Sequence, residues 1–538
     1  MENGLKQKLL KLKVLSNMHR FFESKGARLF LVGGYIRDAL LGRDTKDLDF
    51  TFKGDVITLA RQYAKKIKGA FVLLDEKNAT ARVIYKETGL KPLVQGKGTG
   101  LPPNKNGSLP ANLAGRGSSK SPPKSPHPRC NIGASDLVHK KDKNTEWWFD
   151  FTGMAGRGIA EDLSRRDFTF NAMAVNLQEF FKTGKMEIID PFNGMKDLQK
   201  CIVRMVNEKS FRDDPLRLLR AFRFSAALDF CIDGKTARAI ASYARLIRNA
   251  SGERIREEIF AIFKTGDSCR SIKDMDRAGL LGWIFPGISK IKNEKGLWKH
   301  SVRTLWCLEQ ILGNKIASGI QPGQKKGSVS HFNETVCDPR TRIELLKFAC
   351  LFHDAGKPRT KKIKGDRFSF YGHEHTGAKI MEKLCLRLRL SNRETRILEN
   401  IVRFHMRAHY LANLKEVSER AVSKLIRDCG DELIELLFFT LADFLATPRE
   451  LKKLDARKYR KTIRRIFKRY DSAKKISNLP RLVNGYDLMK EFSLQQGPLV
   501  GKLLNEVELA RSENKIKTRQ EALGFAELLL KGKLCRMK

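Results

Sequence analysis

Acid is scarce in this chain. Its 538 residues include 104 lysines and arginines against 60 aspartates and glutamates, a formal net charge of +44. The basic side chains run along the whole length rather than gathering in one tail. So broad a field draws a polyanion by counterion release, with strong salt dependence, and RNA, DNA or an anionic membrane surface would each answer to it. No run approaches the roughly 18–20 apolar residues of a membrane helix, and no membrane partner is expected. The ten cysteines are scattered, with no C-x-x-C and no close pair. That argues against a zinc ribbon and a disulfide framework, and fits a reducing, cytoplasmic setting. The opening "MENGLKQKLLKLKVL" lacks an apolar signal core and a small-residue cleavage site. Its alternating lysines and leucines suggest a basic surface helix over residues 1–25.

One sharp cluster of acid lies near the start. "LVGGYIRDALLGRDTKDLDF", residues 31–50, holds two adjacent glycines, an arginine and two spaced aspartates. "RLFLVGG" is an apolar run ending in glycines, "YIRDALLG" has helical spacing and "KDLDFTF" alternates as a strand does. "VITLARQYAKKIKG" returns to helix, and "AFVLLDE" and "TARVIYKE" read as paired strands. Residues 28–90 therefore form a small α/β or α+β domain. Alternate side chains of a strand share a face, so Asp47 and Asp49 point the same way. Two such carboxylates repel unless a cation lies between them, which makes the pair a natural Mg²⁺ holder completed by substrate phosphates. Gly33 and Gly34 end a strand before a helix, where phosphate oxygens can approach backbone N–H groups. Arg37, one turn into that helix, is placed to add a charge-assisted bond to a triphosphate. Asp150, in "WWFDFTG", is a candidate third carboxylate, weighed evenly against an ordinary strand-end aspartate.

Residues 92–146 are rich in Gly, Pro, Ser and Lys and too poor in apolar residues to build a core. They are expected to loop out, mostly disordered, between two strands. A second polar excursion is expected at 314–340. From about residue 195 the chain is overwhelmingly helical, with no fixed-period repeat. "SGERIREEIFAIF" follows an apparent Ser251 N-cap.

The combination G-G-x-x-R-D-x-L-L-G-x-x-x-x-D-x-D resembles the class II nucleotidyltransferases, the bacterial tRNA CCA-adding enzymes and their poly(A) polymerase relatives. "EDLSRRDFTFNAMAVN" at 161–176 looks like that family's R-R-D motif. The resemblance implies that Arg166 and Asp167 hold the triphosphate and ribose. "IDPFNGMKDLQKCIVR" at 189–204 resembles the strand and turn leading into a helical neck. "DDPLRLLRAFRF" at 213–224 falls where the family carries E-D-x-x-R. By that likeness Asp214 and Arg217 read the Watson–Crick edge of the incoming base, and Arg220 is available for phosphate. A carboxylate accepts from an exocyclic amino group and a guanidinium donates to a ring acceptor, a pattern that adenine and cytosine share. Asp213 stands where the family has Glu. Glu253, Arg254 and Glu258 are expected to pair and hold neck helices together. "LVNGYDLMKEFSLQQGPLVGKLLNEV" looks like the family's tail, its glycine-led helix starts suited to an RNA backbone.

His300, His353, Asp354, His373, His405 and Asp443, with His375 nearby, resemble in order the HD metal-dependent phosphohydrolase domain. Imidazole and carboxylate would suit a second divalent cation, Mn²⁺, Ni²⁺ or Fe²⁺. HD modules occur fused to this transferase family, so the two resemblances agree. A degenerate HD scaffold is the plainer alternative.

The expected protein is α+β, a small nucleotidyltransferase head over 26–176 followed by an all-helical neck, body and tail. The neck would span 177–265, the HD-containing body 266–478 and the RNA-binding tail 479–538. The expected activity is template-independent addition of CMP and AMP from CTP and ATP to the tRNA 3′ end with Mg²⁺. Poly(A) polymerase and an A-adding specialist are alternatives within the chemistry. A phosphohydrolase acting on RNA ends and a non-catalytic RNA-binding protein stand outside it.

Overall fold

The computed structural model describes residues 2–87, 145–313, 331–365, 367–414, 417–448, 456–477, 481–512 and 515–534. The chain divides into two compact units, Met1–Asn207 and Glu208–Lys538.

Six strands form the sheet of the first unit: β1 (Phe30–Val32), β2 (Asp47–Phe52), β3 (Ala70–Asp75), β4 (Thr80–Glu87), β5 (Thr145–Gly153) and β6 (Ala174–Asn176). Their order is β3-β4-β5-β2-β1-β6. Only β2 and β5 run parallel; the other neighbours are antiparallel. Alternation on β2 and β5 sends Phe50, Phe52, Phe149 and Phe151 into the core, all essentially without exposure. Helix Val56–Ile67, capped by Asp55, covers that face with Val56, Ala60, Tyr63 and Ala64.

The N-terminal segment is not a surface helix. It forms two helices, Glu2–Lys11 and Lys13–Glu23, and the second buries Leu15, Met18, Phe21 and Phe22. The Phe22 ring stacks on Phe151 with centroids 5.3 Å apart. Leu15, Met18 and Phe22 recur at helical spacing on one stripe, and burying such a side chain stabilises by about 1.5–3 kcal/mol. The lysines read as a basic surface lie mostly on the first helix, whose other side buries Leu5 and Leu9.

The first unit also continues past residue 176. Ala174 and Ile189 exchange backbone bonds of 3.0 and 2.8 Å, Thr169 N–H donates to Arg204 at 3.0 Å and Val206 N–H to Asp167 at 3.1 Å. Residues 177–207 thus fold back onto the head instead of opening the neck. Of the insertion expected at 92–146, Thr145 and Glu146 already belong to β5, and the rest lies outside the described residues. Glu87 and Thr145 are register partners, so residues 88–144 join two neighbouring strands at one point.

The second unit is helical. Helix Leu433–Ala446, "LIELLFFTLADFLA", is rich in apolar residues and buried almost throughout. It is buried among helices Leu297–Leu312, Arg342–Phe352 and Asn392–Asn413, as such a helix must be. No break occurs at 265: Phe260 and Phe263 pack on Phe348 at 5.7 and 6.1 Å. Of the expected excursion at 314–340, residues 331–340 are built into the body, and 314–330 lie outside the described residues. Phe332 packs on Phe438 at 4.9 Å, His331 meets Glu435 at 2.9 Å and buried Arg340 pairs with buried Glu394. The tail helices Gly485–Phe492, Pro498–Ser512 and Arg519–Leu534 have a small core of their own, with Leu488, Leu503, Val507 and Ala522 at its centre. Among the described residues no helix is long and apolar enough to cross a membrane.

Candidate active site and metal centre

In the first unit the glycine pair, the acids and the second arginine of R-R-D converge. Gly33 takes φ +76° between β1 and helix Gly34–Leu40. A Cβ there would sit 2.9 Å from Arg166 Nη1 and 3.0 Å from Asp49 Oδ2, so guanidinium and carboxylate flank the bare α-carbon. Asp49 also accepts the Gly34 backbone N–H. On β2, Leu48 and Phe50 face the core while Asp47 and Asp49 face away from it. Asp49 is the register partner of Asp150 across the parallel β2–β5 pair, which places three carboxylates together.

Loss of hydration, reinforced by the charges of Asp49 and Asp150, raises the Asp47 pKa to about 6 against the opposing charge of Arg82. Burial and Asp150 likewise raise Asp49, with Arg166 opposing. Carboxylates that resist ionisation together are those a bound cation would relieve, and the hard oxygen donors suit Mg²⁺.

Other expectations are redirected. Asp150 is gripped by Arg82, whose Nε and Nη2 each donate at 2.7 Å. Arg82 sits directly across β4–β5 from it. Arg37 is engaged within the protein: it donates to Asp38 at 2.9 and 2.7 Å and to Asn171 Oδ1 at 2.7 Å. Asp167 is buried and accepts from Asn171 Nδ2 at 3.0 Å and Phe168 N–H at 2.9 Å. Arg37 and Asp167 therefore meet through Asn171 and brace the turn beside the site. Asn171 and Arg82 were missed. Asn171 stands inside the R-R-D stretch, whereas Arg82 is visible only once the strand register is known.

In the second unit, Asp214 caps the C-terminus of helix Lys209–Asp213, and two residues separate it from the start of helix Arg217–Leu228. Its Oδ2 accepts from Arg254 Nη2 at 2.8 Å and its Oδ1 from Leu216 N–H at 3.2 Å. Arg217 donates to the Ser210 carbonyl at 3.2 Å, and Arg220 lies 5.4 Å from the Phe224 ring. The expected helix clamp is made in part by Glu258, which accepts from Arg223 at 2.7 Å. Arg254 instead holds Asp214, and Glu253 faces Arg389 at 3.7 Å.

The six HD residues come together as two triads, His300, His353 and Asp443, and Asp354, His373 and His405, the ligand atoms of each within 4.8 Å of one another. His353, His373 and His405 each turn Nδ1 to the carbonyl three residues earlier, at 2.9, 2.9 and 2.6 Å. Those bonds place the proton on Nδ1 and leave Nε2 for a metal. His353 Nε2, Asp354 Oδ1 and Asp443 Oδ1 are buried and crowded, with His300 Nε2 2.7 Å from Asp443 Oδ1 and His373 Nε2 3.3 Å from Asp354 Oδ1, as the donor atoms of a metal centre would be. Burial opposes ionisation of Asp354, yet His353 and Lys357 prevail and hold its carboxyl well below the usual range. Burial pushes the His405 imidazole down, favouring the neutral form that ligates. His375 is exposed and stands apart. His409, also missed, donates Nε2–H to Asp443 Oδ2 at 2.7 Å while its Nδ1 meets the Tyr459 hydroxyl at 2.8 Å. The i, i+4 spacing of His405 and His409 on helix Asn392–Asn413 was its signal.

Family models match in the same places. "Poly A polymerase head domain" covers residues 29–91 and 126–204, "Probable RNA and SrmB- binding site of polymerase A" 229–292, and "HD domain" 297–447. The chain is 28% identical to the A-adding tRNA nucleotidyltransferase of Deinococcus radiodurans, over 69% of this chain and 79% of that protein. It is 26% identical to the CC-adding tRNA nucleotidyltransferase of Thermus thermophilus, over 94% of each. Its fold is similar to that of the Thermotoga maritima CCA-adding enzyme complexed with tRNA, with a TM-score of 0.59 at 18% identity, over 96% of this chain and 95% of that one. The chain belongs to the class II nucleotidyltransferase family of CCA-adding enzymes and poly(A) polymerases, as an enzyme that also carries an HD domain.

Proposed function

We propose that this enzyme adds CMP and AMP, from CTP and ATP, to the tRNA 3′ end without a nucleic-acid template. The observation that carries the reading is the meeting of Asp47 and Asp49 with Gly33 and Arg166. The primer 3′-hydroxyl attacks the α-phosphate, the bond to the β-phosphate breaks, and pyrophosphate leaves. Mg²⁺, held by Asp47 and Asp49, would supply charge stabilisation on the attacking and leaving oxygens. Gly33 admits the triphosphate against the backbone, and Arg166 donates to its oxygens. Arg82 fixes Asp150 beside the pair. Asp214 and Arg217 read the base edge, with Arg254 orienting Asp214. The HD residues hold a second divalent cation, Mn²⁺, Ni²⁺ or Fe²⁺. A cytoplasmic site of action fits cysteines that are all free among the described residues.

A second reading within the same chemistry, a specialist for only part of the CCA end, is favoured by the A-adding and CC-adding relatives. Extension of tRNA transcripts ending before CCA, or after CC, separates them when ATP, CTP or both are supplied. A stop after three bases with both nucleotides supports CCA addition. A single A added only after CC, or a stop after CC, supports a specialist, and a long A ladder a poly(A) polymerase. No extension under any of these conditions overturns the proposal.

A further inference from the structure

A second groove lies on the outer side of the helix that delivers His300. Helices Ser268–Arg277 and Leu297–Leu312 build it. Lys273 and Arg277 lie one turn apart on the first, and Lys299, Arg303 and Trp306 follow i, i+4, i+7 spacing on the second. All five are exposed, Trp306 by 41%. They surround an open cavity of about 570 Å³. Trp298, also in its wall, is pinned: its indole N–H donates to Asp276 Oδ2 at 2.8 Å. Arg277 is paired with Asp274 at 2.7 Å, whereas Lys273, Lys299 and Arg303 form no ion pair among the described residues.

An accessible indole among unneutralised cations is the combination that holds single-stranded nucleic acid. Bases stack on the ring whatever their identity, and phosphates meet the charges. An acidic peptide would satisfy the cations but leave the indole face without use. The chain's own long insertion, basic in composition, is repelled by them. Lys299 and Arg303 also line the cavity of about 670 Å³ that opens over His300, His405, His409 and Asp443. A strand stacked on Trp306 therefore has a continuous cationic path to the HD centre.

We propose that this groove binds a single-stranded RNA segment, stacked on Trp306 and directed by Lys299 and Arg303 into the HD cavity. Only the choice of RNA over DNA rests on the function proposed above.

An oligoribonucleotide bearing 5-iodouridine near its 3′ end, irradiated with the full-length protein and mapped by mass spectrometry, tests this directly. An adduct on Trp306 is expected, its yield falling at least about fivefold in Arg303→Glu and in Lys299→Glu. Adducts confined to other residues, or undiminished yield in both charge variants, overturn the proposal. So does an abasic oligonucleotide that competes as well as the intact one. Extension of tRNA is measured on the same samples. Extension without a Trp306 adduct refutes the groove and leaves the transferase reading standing, and an adduct without extension does the reverse.

Discussion

Gly33→Ala tests the nucleotide site through one methyl group. At φ +76° and ψ −135° an L-residue costs about 1–3 kcal/mol, and the new Cβ would lie 2.9 Å from Arg166 Nη1 and 3.0 Å from Asp49 Oδ2. Both groups must move by a few tenths of an ångström, away from the place where the triphosphate and its metal would sit. A misplacement of about 1 Å in reacting groups costs up to about 100-fold in rate, and a few tenths costs correspondingly less. Gly34→Ala is the control: its Cβ would meet only Arg37 Nη2, at 3.5 Å, and the N–H that Asp49 accepts is kept. We expect a melting temperature lower by a few degrees in Gly33→Ala. We also expect its single-turnover extension rate to fall by roughly tenfold, with Gly34→Ala within about threefold of the parent. Equal rates for Gly33→Ala and the parent would refute the placement of the nucleotide between Arg166 and Asp49.

Two further outcomes follow from the second unit. Burial opposes ionisation of Glu394, but Arg340 and Ser391 outweigh it and leave its pKa lowered. Its stabilisation is therefore complete above the unfolded value near 4.5 and is lost as pH falls through the lower folded value. Glu394→Gln should cost about 3 kcal/mol at pH 7, and should show a smaller drop in urea midpoint than the parent between pH 5 and 3.5. An equal drop in both would remove Glu394 as the cause. His409→Phe takes the donor from Asp443 Oδ2 and should weaken Mn²⁺ binding by calorimetry about 10–100-fold, with tRNA extension unchanged. Unaltered Mn²⁺ affinity would show that His409 does not position Asp443.

What the sequence revealed of this protein was its local pattern. The alternation of "KDLDFTF" placed Asp47 and Asp49 on one side of β2, and Ser251 caps its helix by accepting the Arg254 N–H. Pairing across the chain was not legible. Arg82 meets Asp150 only because β4 and β5 align in one register across a long insertion, and no periodicity within either strand reports that. The N-terminal segment was misread because Lys6, Lys8, Lys11 and Lys13 dominate its opening while Leu5, Leu9, Leu15, Met18 and Phe22 decide its burial. The link between Arg37 and Asp167 was hidden for a similar reason: Asn171 stands between them in space, far from Arg37 in sequence. In the HD centre the residue types were legible, but their division into two triads depends on how separate helices pack.

The most direct measurement is Mg²⁺-dependent extension of a tRNA transcript lacking its CCA end by the parent, Asp47→Ala and Asp49→Ala. Circular dichroism and melting confirm that all three are folded. The parent should extend with CTP and ATP, and each variant should be slower by about 10³-fold or more, a loss that higher nucleotide concentration does not restore. Extension by a folded Asp47→Ala or Asp49→Ala at the parent's rate would contradict the assignment of nucleotidyl transfer to the acid pair on β2.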